Sequence, residues 1–354
     1  MAPNFPLVTF NLFSLLVVGF NFVGAQKVPA MYVLGDSLVD VGNNNYLVLS
    51  RYKADFPNNG VDYAGHKPTG RFSNGKNAAD FLGKLIPKVG LASPPPYLSF
   101  VFDKSNGGFP TTGVSFASGG AGIFSSTDKL FKQAISLTKQ VEYYSIVQKD
   151  LVKKIGSAAA QDHISKSIFA IVIGSNDILG YYQSGSDLPV KYTPQQYVDS
   201  MVLTLKDALK KMHDFGARKY VIAGLPPVGC CPSQRNRNAS GGCYEEENYL
   251  SAKYNDGLRS MLRGLKSELN GFAYTYLDLY SVFTRFIQSP STYGFTEIKA
   301  ACCGFGNLKA QVPCVPVATY CPNRHDHLFW DFYHPTEAAA HIVVNTLFNG
   351  SIAM

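Results

Sequence analysis

Ala30-Met31-Tyr32-Val33-Leu34-Gly35-Asp36-Ser37 decides the fold. Five apolar residues end on a glycine, an acid and a serine. A short apolar run bounded by turn residues reads as a strand covered on both faces. Four further runs repeat the pattern, at 113–117, 168–173, 219–223 and 273–279. Helical spacing separates most of them, at 78–86, 130–155, 194–215, 248–269 and 337–347. In 194–215, Tyr197, Met201, Leu205, Leu209 and Met212 form one stripe. Strands alternating with helices predict a parallel sheet with helices on both faces. The alternation runs from residue 30 to the end without a linker, so one domain over 26–354 is expected. Segments 43–75 and 285–330 are long Gly/Pro/Asn-rich excursions, of the length that function or disulfides usually explain.

Composition narrows the function. The 354 residues are 46% apolar and 16% charged, enough for a large core and too few charges for a disordered chain or coiled coil. A net charge of +7 without a dense basic block gives nucleic-acid binding no support. Lys210-Lys211 lies in an amphipathic helical pattern and reads as a solvated face. The 32 Gly and 20 Pro follow no repeat and mark turns.

Residues 5–23 are mostly apolar, and Val23-Gly24-Ala25 offers the small residues of a cleavage site. A signal peptide over 1–25 is expected, with Gln26 first in the mature chain, although no Lys or Arg precedes the apolar run. The competing membrane anchor is interrupted by Pro6, Asn11 and Asn21, and no later stretch is long and apolar enough to span. Seven cysteines, Cys230, Cys231, Cys243, Cys302, Cys303, Cys314 and Cys321, suit an oxidising compartment, with up to three bridges and one leftover thiol. Zinc-finger spacing is absent from them. Sequons begin at Asn238 and Asn349.

In open parallel sheets ligands bind beyond the carboxyl ends of the strands, so the residues just past each strand carry the chemistry. Ser37 comes after the first strand; it reads as a nucleophile, or as the cap of a helix beginning there. Ser118-Gly119-Gly120-Ala121-Gly122 comes after the second and could present a backbone N–H, or be a tight turn. Neither a phosphate-loop pattern nor the G-x-S-x-G elbow occurs. Gly174-Ser175-Asn176-Asp177 comes after the third; Asn176 could donate to an oxyanion, and either Asn176 or Asp177 could cap the next turn. Near the end comes Asp331-Phe332-Tyr333-His334-Pro335-Thr336. Pro335 suits the first position of a final helix, and Asp331 can bond one imidazole nitrogen of His334 while the other faces a nucleophile. The rival is a metal site of His325, His327, Asp331 and His334. His66, His163, His213 and His341 read as surface or packing positions. Nucleophile, hydrogen donors and oriented base at one sheet rim are the parts of acyl transfer.

These blocks resemble the GDSL esterase/lipase family of the SGNH-hydrolase superfamily, in its plant secreted branch. The blocks are Gly35–Asn44, Pro68-Thr69-Gly70-Arg71-Phe72-Ser73-Asn74-Gly75, 113–122, 174–177, Leu225-Pro226-Pro227-Val228-Gly229-Cys230 and 329–337, in the family's order along nearly the whole mature chain. The resemblance implies a three-layer α/β/α sandwich with a parallel, flavodoxin-like sheet. It implies Ser37 as nucleophile, His334 as general base and Asp331 as its orienting partner. It implies an oxyanion hole from the N–H groups of Ser37 and Gly120 (or Gly119, by register) and the Asn176 side chain. No metal or cofactor is implied. The family often has Asn where this chain has Ser115, a loss expected to loosen that turn. Cys231 is additional to the family's pattern, which makes it the candidate free thiol and Cys230–Cys243 the preferred bridge; pairing among Cys302, Cys303, Cys314 and Cys321 stays open.

The expected function is hydrolysis of a carboxylic ester through an acyl-enzyme, by a secreted monomer of the cell wall or apoplast. The ester could belong to a lipid, a polyester or an acylated sugar or small molecule. The alternatives are acyl transfer to another alcohol, as in polyester synthesis, and a secreted binding protein with an idle site.

Overall fold

The computed structural model describes residues 28–85, 91–103, 105, 107–127 and 133–349. Four parallel strands, β1 (Met31–Gly35), β2 (Ile168–Val172), β3 (Lys219–Ala223) and β4 (Ala273–Leu277), lie side by side in that order. The run predicted at 113–117 lies along the free edge of β1. There Val33 N–H donates to Val114 O (3.2 Å) and Phe116 N–H to Val33 O (2.7 Å). Only Ser115 is a formal bridge, to Val33 and to Pro96. Gly113, at φ +101°, breaks the extended backbone; a Cβ there would stand 1.9 Å from Met31 O. From β1 the chain runs out to this edge and then returns across β1 to β2. Connections therefore diverge between β1 and β2, the switch point of a flavodoxin-like sheet, where a crevice opens.

Side chains alternate between two cores because strand geometry has a period of two. Tyr32, Leu34, Phe169, Ile171, Tyr220 and Ile222 face helices Leu137–Ile155, Ser157–Lys166, Pro194–Asp214 and Glu245–Glu268. Met31, Val33, Ile168, Ala170, Val172 and Val221 face helices Ala78–Leu85, Leu279–Gln288 and Glu337–Asn349. The result is a three-layer α/β/α sandwich. On the first face Tyr32, Phe169 and Tyr220 are in register, with ring centroids 5.0 and 5.9 Å apart. Helix Pro194–Asp214 begins where local chemistry dictates: Thr193 and Gln196 form a capping box, and Pro194 takes the first position.

Two expectations change. The helix expected over 130–155 starts at Leu137 and ends at Gly156 (φ +83°), after which Ser157–Lys166 forms a separate helix. The excursion 285–330 contains strands β5 (Glu297–Ala301) and β6 (His327–Phe329), paired in parallel with an irregular register. Disulfides Cys302–Cys321 and Cys303–Cys314 close it, and Trp330 is buried among them. A third disulfide joins Cys230 and Cys243, while Cys231 is free and buried. The expected signal peptide, residues 1–25, lies outside the described residues. Among the described residues no helix is long and apolar enough to cross a membrane.

Phe169 lies at the centre of the aromatic row, fully buried. Phe169→Ala is expected to cost about 3–5 kcal/mol, read from urea unfolding midpoints; a loss under about 1 kcal/mol contradicts its place in the core.

Candidate active site

Ser37 stands two residues past β1. Gly35 is required because a Cβ would meet Val172 O at 2.4 Å. The chain then turns rather than starting a helix: Asp36 Oδ1 accepts the Leu38 N–H (3.0 Å), and Val39 N–H donates to Asp36 O (3.3 Å). Ser37 is therefore not a helix cap.

His334 reaches Ser37 from the far end of the chain. Its Nε2 is 2.7 Å from Ser37 Oγ, and its Nδ1 is 2.8 Å from each Asp331 oxygen. Asp331 Oδ1 also accepts the backbone N–H groups of Tyr333 (2.9 Å) and His334 (2.8 Å), which closes the turn that holds the imidazole. All three side chains are buried. The Phe72 ring packs on the imidazole, centroids 4.9 Å apart. Pro335 is not the first helical residue as expected. The helix begins at Glu337, and Thr336 Oγ1 caps it by accepting the Ala339 N–H (3.1 Å), which a proline cannot do.

Beside Ser37 lies the glycine turn. Gly119 N–H is held by Asp40 Oδ2 (2.9 Å), whereas the Gly120 N–H has no acceptor among the described residues; Gly120 is in the left-handed region, φ +80°. Asn43 Nδ2 donates to Ser115 O and Ala117 O, both at 2.8 Å, and Asn44 Nδ2 donates to Gly119 O at 2.8 Å. The backbone around Ser115 is thus anchored by Asn43, although the Ser115 hydroxyl itself is buried without a partner. Asp177 does not cap its own helix. It accepts the N–H groups of Ile123 (2.8 Å) and Phe124 (3.2 Å) and the Thr127 hydroxyl (2.8 Å), pinning the far side of the turn. Asn176 Nδ2 donates to Ala121 O (2.9 Å).

Sequence reasoning quoted these Asp and Asn residues inside motifs and assigned Asp40, Asn43, Asn44 and Phe72 no part in the site. Their signal was present: several carboxamides and carboxylates in one apolar chain segment need buried partners.

Burial raises the acids here. Asp36 is pushed up to about 7, and its Oδ2 is buried without a partner. Asp40 and Asp177 are pushed up to about 6 by burial, against the opposing pull of the backbone N–H groups they accept.

The metal alternative does not assemble. His327 Nδ1 pairs with Asp326 (2.7 Å), and among the described residues no group of three or more His, Cys, Asp or Glu is arranged to hold an ion. His66, His163 and His213 bond backbone carbonyls, and His341 packs on Phe81. Asn238 Nδ2 donates to Cys243 O (3.1 Å). Asn349 ends the last helix, and its sequon continues outside the described residues.

Ser37, Gly120, Asn176 and His334 line one cleft of about 350 Å³ at the switch point. A buried Ser–His–Asp row facing a cleft in a doubly wound α/β/α sandwich is an arrangement that can carry out acyl transfer. The family model "GDSL-like Lipase/Acylhydrolase" matches residues 31–347, and the chain belongs to that family. An Arabidopsis thaliana GDSL esterase/lipase is 46% identical over 97% of this chain and 94% of its own length. A second from the same plant is 36% identical over 93% and 89%. Among solved structures, a catalytic mutant of an acetylxylan esterase from Geobacillus stearothermophilus matches at 11% identity and TM-score 0.38, over 93% of this chain and 95% of that one. The protein is a carboxylic ester hydrolase.

A carboxyl whose pKa is higher folded than the unfolded value of about 3.9 lends stability in acid, and loses it as pH rises to the folded pKa. For Asp36 that window runs from about 4 to about 7. Asp36→Asn, which does not titrate, is therefore expected to gain in melting temperature relative to wild type across that window, with the difference level above it. A difference that shrinks as pH rises contradicts the burial argument.

Proposed function

We propose that this enzyme is a secreted serine esterase working through an acyl-enzyme on Ser37. The observation that carries the reading is the row from Ser37 Oγ through His334 Nε2 (2.7 Å) to Asp331 at Nδ1 (2.8 Å). His334 Nε2 takes the hydroxyl proton as Ser37 Oγ attacks the ester carbonyl carbon. The carbonyl oxygen becomes an oxyanion, which accepts from the N–H groups of Ser37 and Gly120 and from Asn176. Gly120 is preferred over Gly119 because the Gly119 N–H is already given to Asp40. Asn176 gives one amide hydrogen to Ala121 O, which fixes its plane and leaves the other for the oxyanion. His334 then protonates the departing alkoxide. Water attacks the acyl-enzyme by the same route, and the acid leaves. Asp331 holds the tautomer that presents a bare Nε2 to the serine.

Three disulfides support export, since such bonds persist in oxidising compartments, and the expected leader over 1–25 agrees. Asn238 is a glycosylation candidate in that setting, as is Asn349.

Ser37→Ala is expected to abolish turnover of nitrophenyl esters and keep the melting temperature. Asn176→Ala is expected to lower kcat by about 10²–10³ with little change in KM. Full activity in the Ser37 variant, or an unchanged kcat in the Asn176 variant, contradicts these roles.

A further inference from the structure

The cleft is not uniform. Its lining residues fall into two sets of opposite character. One set is polar, Asn176, Gln183, Ser233, Gln234 and Arg237, with Arg237 at the exposed rim, held by Glu247 (3.0 Å) and by the Tyr182 carbonyl (3.2 Å). The other set is apolar and buried, an inner lobe contributed by the sheet and by helices Leu279–Gln288 and Glu337–Asn349.

The walls of the inner lobe follow from the fold. Its floor is the carboxyl-terminal residue of three adjacent strands: Val172 of β2, Ala223 of β3 and Leu277 of β4. Opposite stand Ala340, Val343, Val344 and Leu347, one stripe of the final helix at spacings of three, four and seven. Leu279, Phe283 and Ile287, at four-residue spacing, form the third wall. Every one of these side chains is apolar. Two are alanines, Ala223 and Ala340, set on opposite walls, where larger residues would close the space. The stripe belongs to the helix that starts three residues after His334, and it lines the same cleft as Ser37 and His334.

We propose that this inner lobe receives the acyl chain of the substrate, with the alcohol part leaving over the polar rim. The proposal rests on Ser37 as nucleophile and adds the substrate class: esters of medium-chain aliphatic acids. An apolar, charge-free lobe recovers the hydrophobic transfer energy of each methylene it covers, about 0.8 kcal/mol or roughly fourfold in affinity. An acetyl group reaches none of that wall. At roughly 30 Å³ for a water-sized group, the whole cleft of about 350 Å³ holds about a dozen, which bounds the chain to medium length.

The test is a chain-length series of nitrophenyl esters, from acetate through butyrate and octanoate to palmitate, on wild type and three variants. Wild type is expected to peak near octanoate, with kcat/KM at least about a hundredfold above acetate. Val343→Phe and Ala340→Leu fill the lobe and are expected to cut the octanoate-to-acetate ratio of kcat/KM at least about tenfold, mainly through KM. Leu347→Ala enlarges it and is expected to move the optimum to longer chains. Melting curves identify any filling variant that fails to fold, and Leu347→Ala then still decides the matter. A wild type that prefers acetate, or folded variants that leave the ratio unchanged, overturns the proposal. Those results leave Ser37 as nucleophile intact; activity surviving in Ser37→Ala on every ester sinks that assignment instead.

Discussion

One hydrogen bond, 2.7 Å between Ser37 Oγ and His334 Nε2, joins groups 297 residues apart. Nothing local can set that distance; two long irregular excursions set it together. Segment 43–75 supplies Phe72 against the imidazole and Asn74, whose side-chain oxygen accepts the Glu337 N–H (2.8 Å) at the start of the final helix. It also supplies Asn59 for the Trp330 indole N–H (3.1 Å) and Asn58 for the carbonyls of Val315 and Ala318 (2.8 and 3.0 Å). Asp62 binds Arg324 through two bonds (2.9 and 2.7 Å). The disulfides of 302–321 stiffen the opposite partner, lowering the entropy lost when the two excursions meet. The two loops together are the scaffold of the His334 imidazole.

The second half of the site is held by buried polar groups. Asp40 and Asp177 clamp the glycine turn from either side, and Asn43 and Asn44 bind its carbonyls. Arg71 and Asp80 form a buried two-bond pair (2.7 and 2.8 Å) beneath the same region. Networks of this kind cost desolvation and repay little net stability. Their use is positional: donors fixed before substrate arrives need no reorganisation when charge develops on the carbonyl oxygen. Gly119 shows how tight the fit is, since a Cβ there would stand 2.5 Å from the Phe72 ring.

The layered fold was legible in the sequence because it is written in periodicity. Continuous apolar runs marked β1 to β4, and the stripe from Tyr197 to Met212 marked its helix. The edge segment at 113–117 was legible as a strand, but Gly113 and the neighbouring prolines left it irregular. Strands β5 and β6 were hidden, being short and mixed in polarity, with an irregular register. The motifs for Ser37, Asn176, Asp331 and His334 were visible as local sequence, and the structure brings these residues together. The supports were not visible, because the partners of Asp40, Asp177 and Phe72 lie tens to hundreds of residues away. The apolar lining of the cleft was equally hidden, because its residues read as ordinary core from sequence.

The proposed acyl-enzyme route requires Ser37 to be the one activated nucleophile. Treating the enzyme with an alkyl fluorophosphonate and locating the adduct by peptide mass spectrometry tests this most directly. A single stoichiometric adduct on the peptide carrying Ser37, lost when His334 is changed to Ala, is the predicted result. No adduct, or one on another residue, contradicts it.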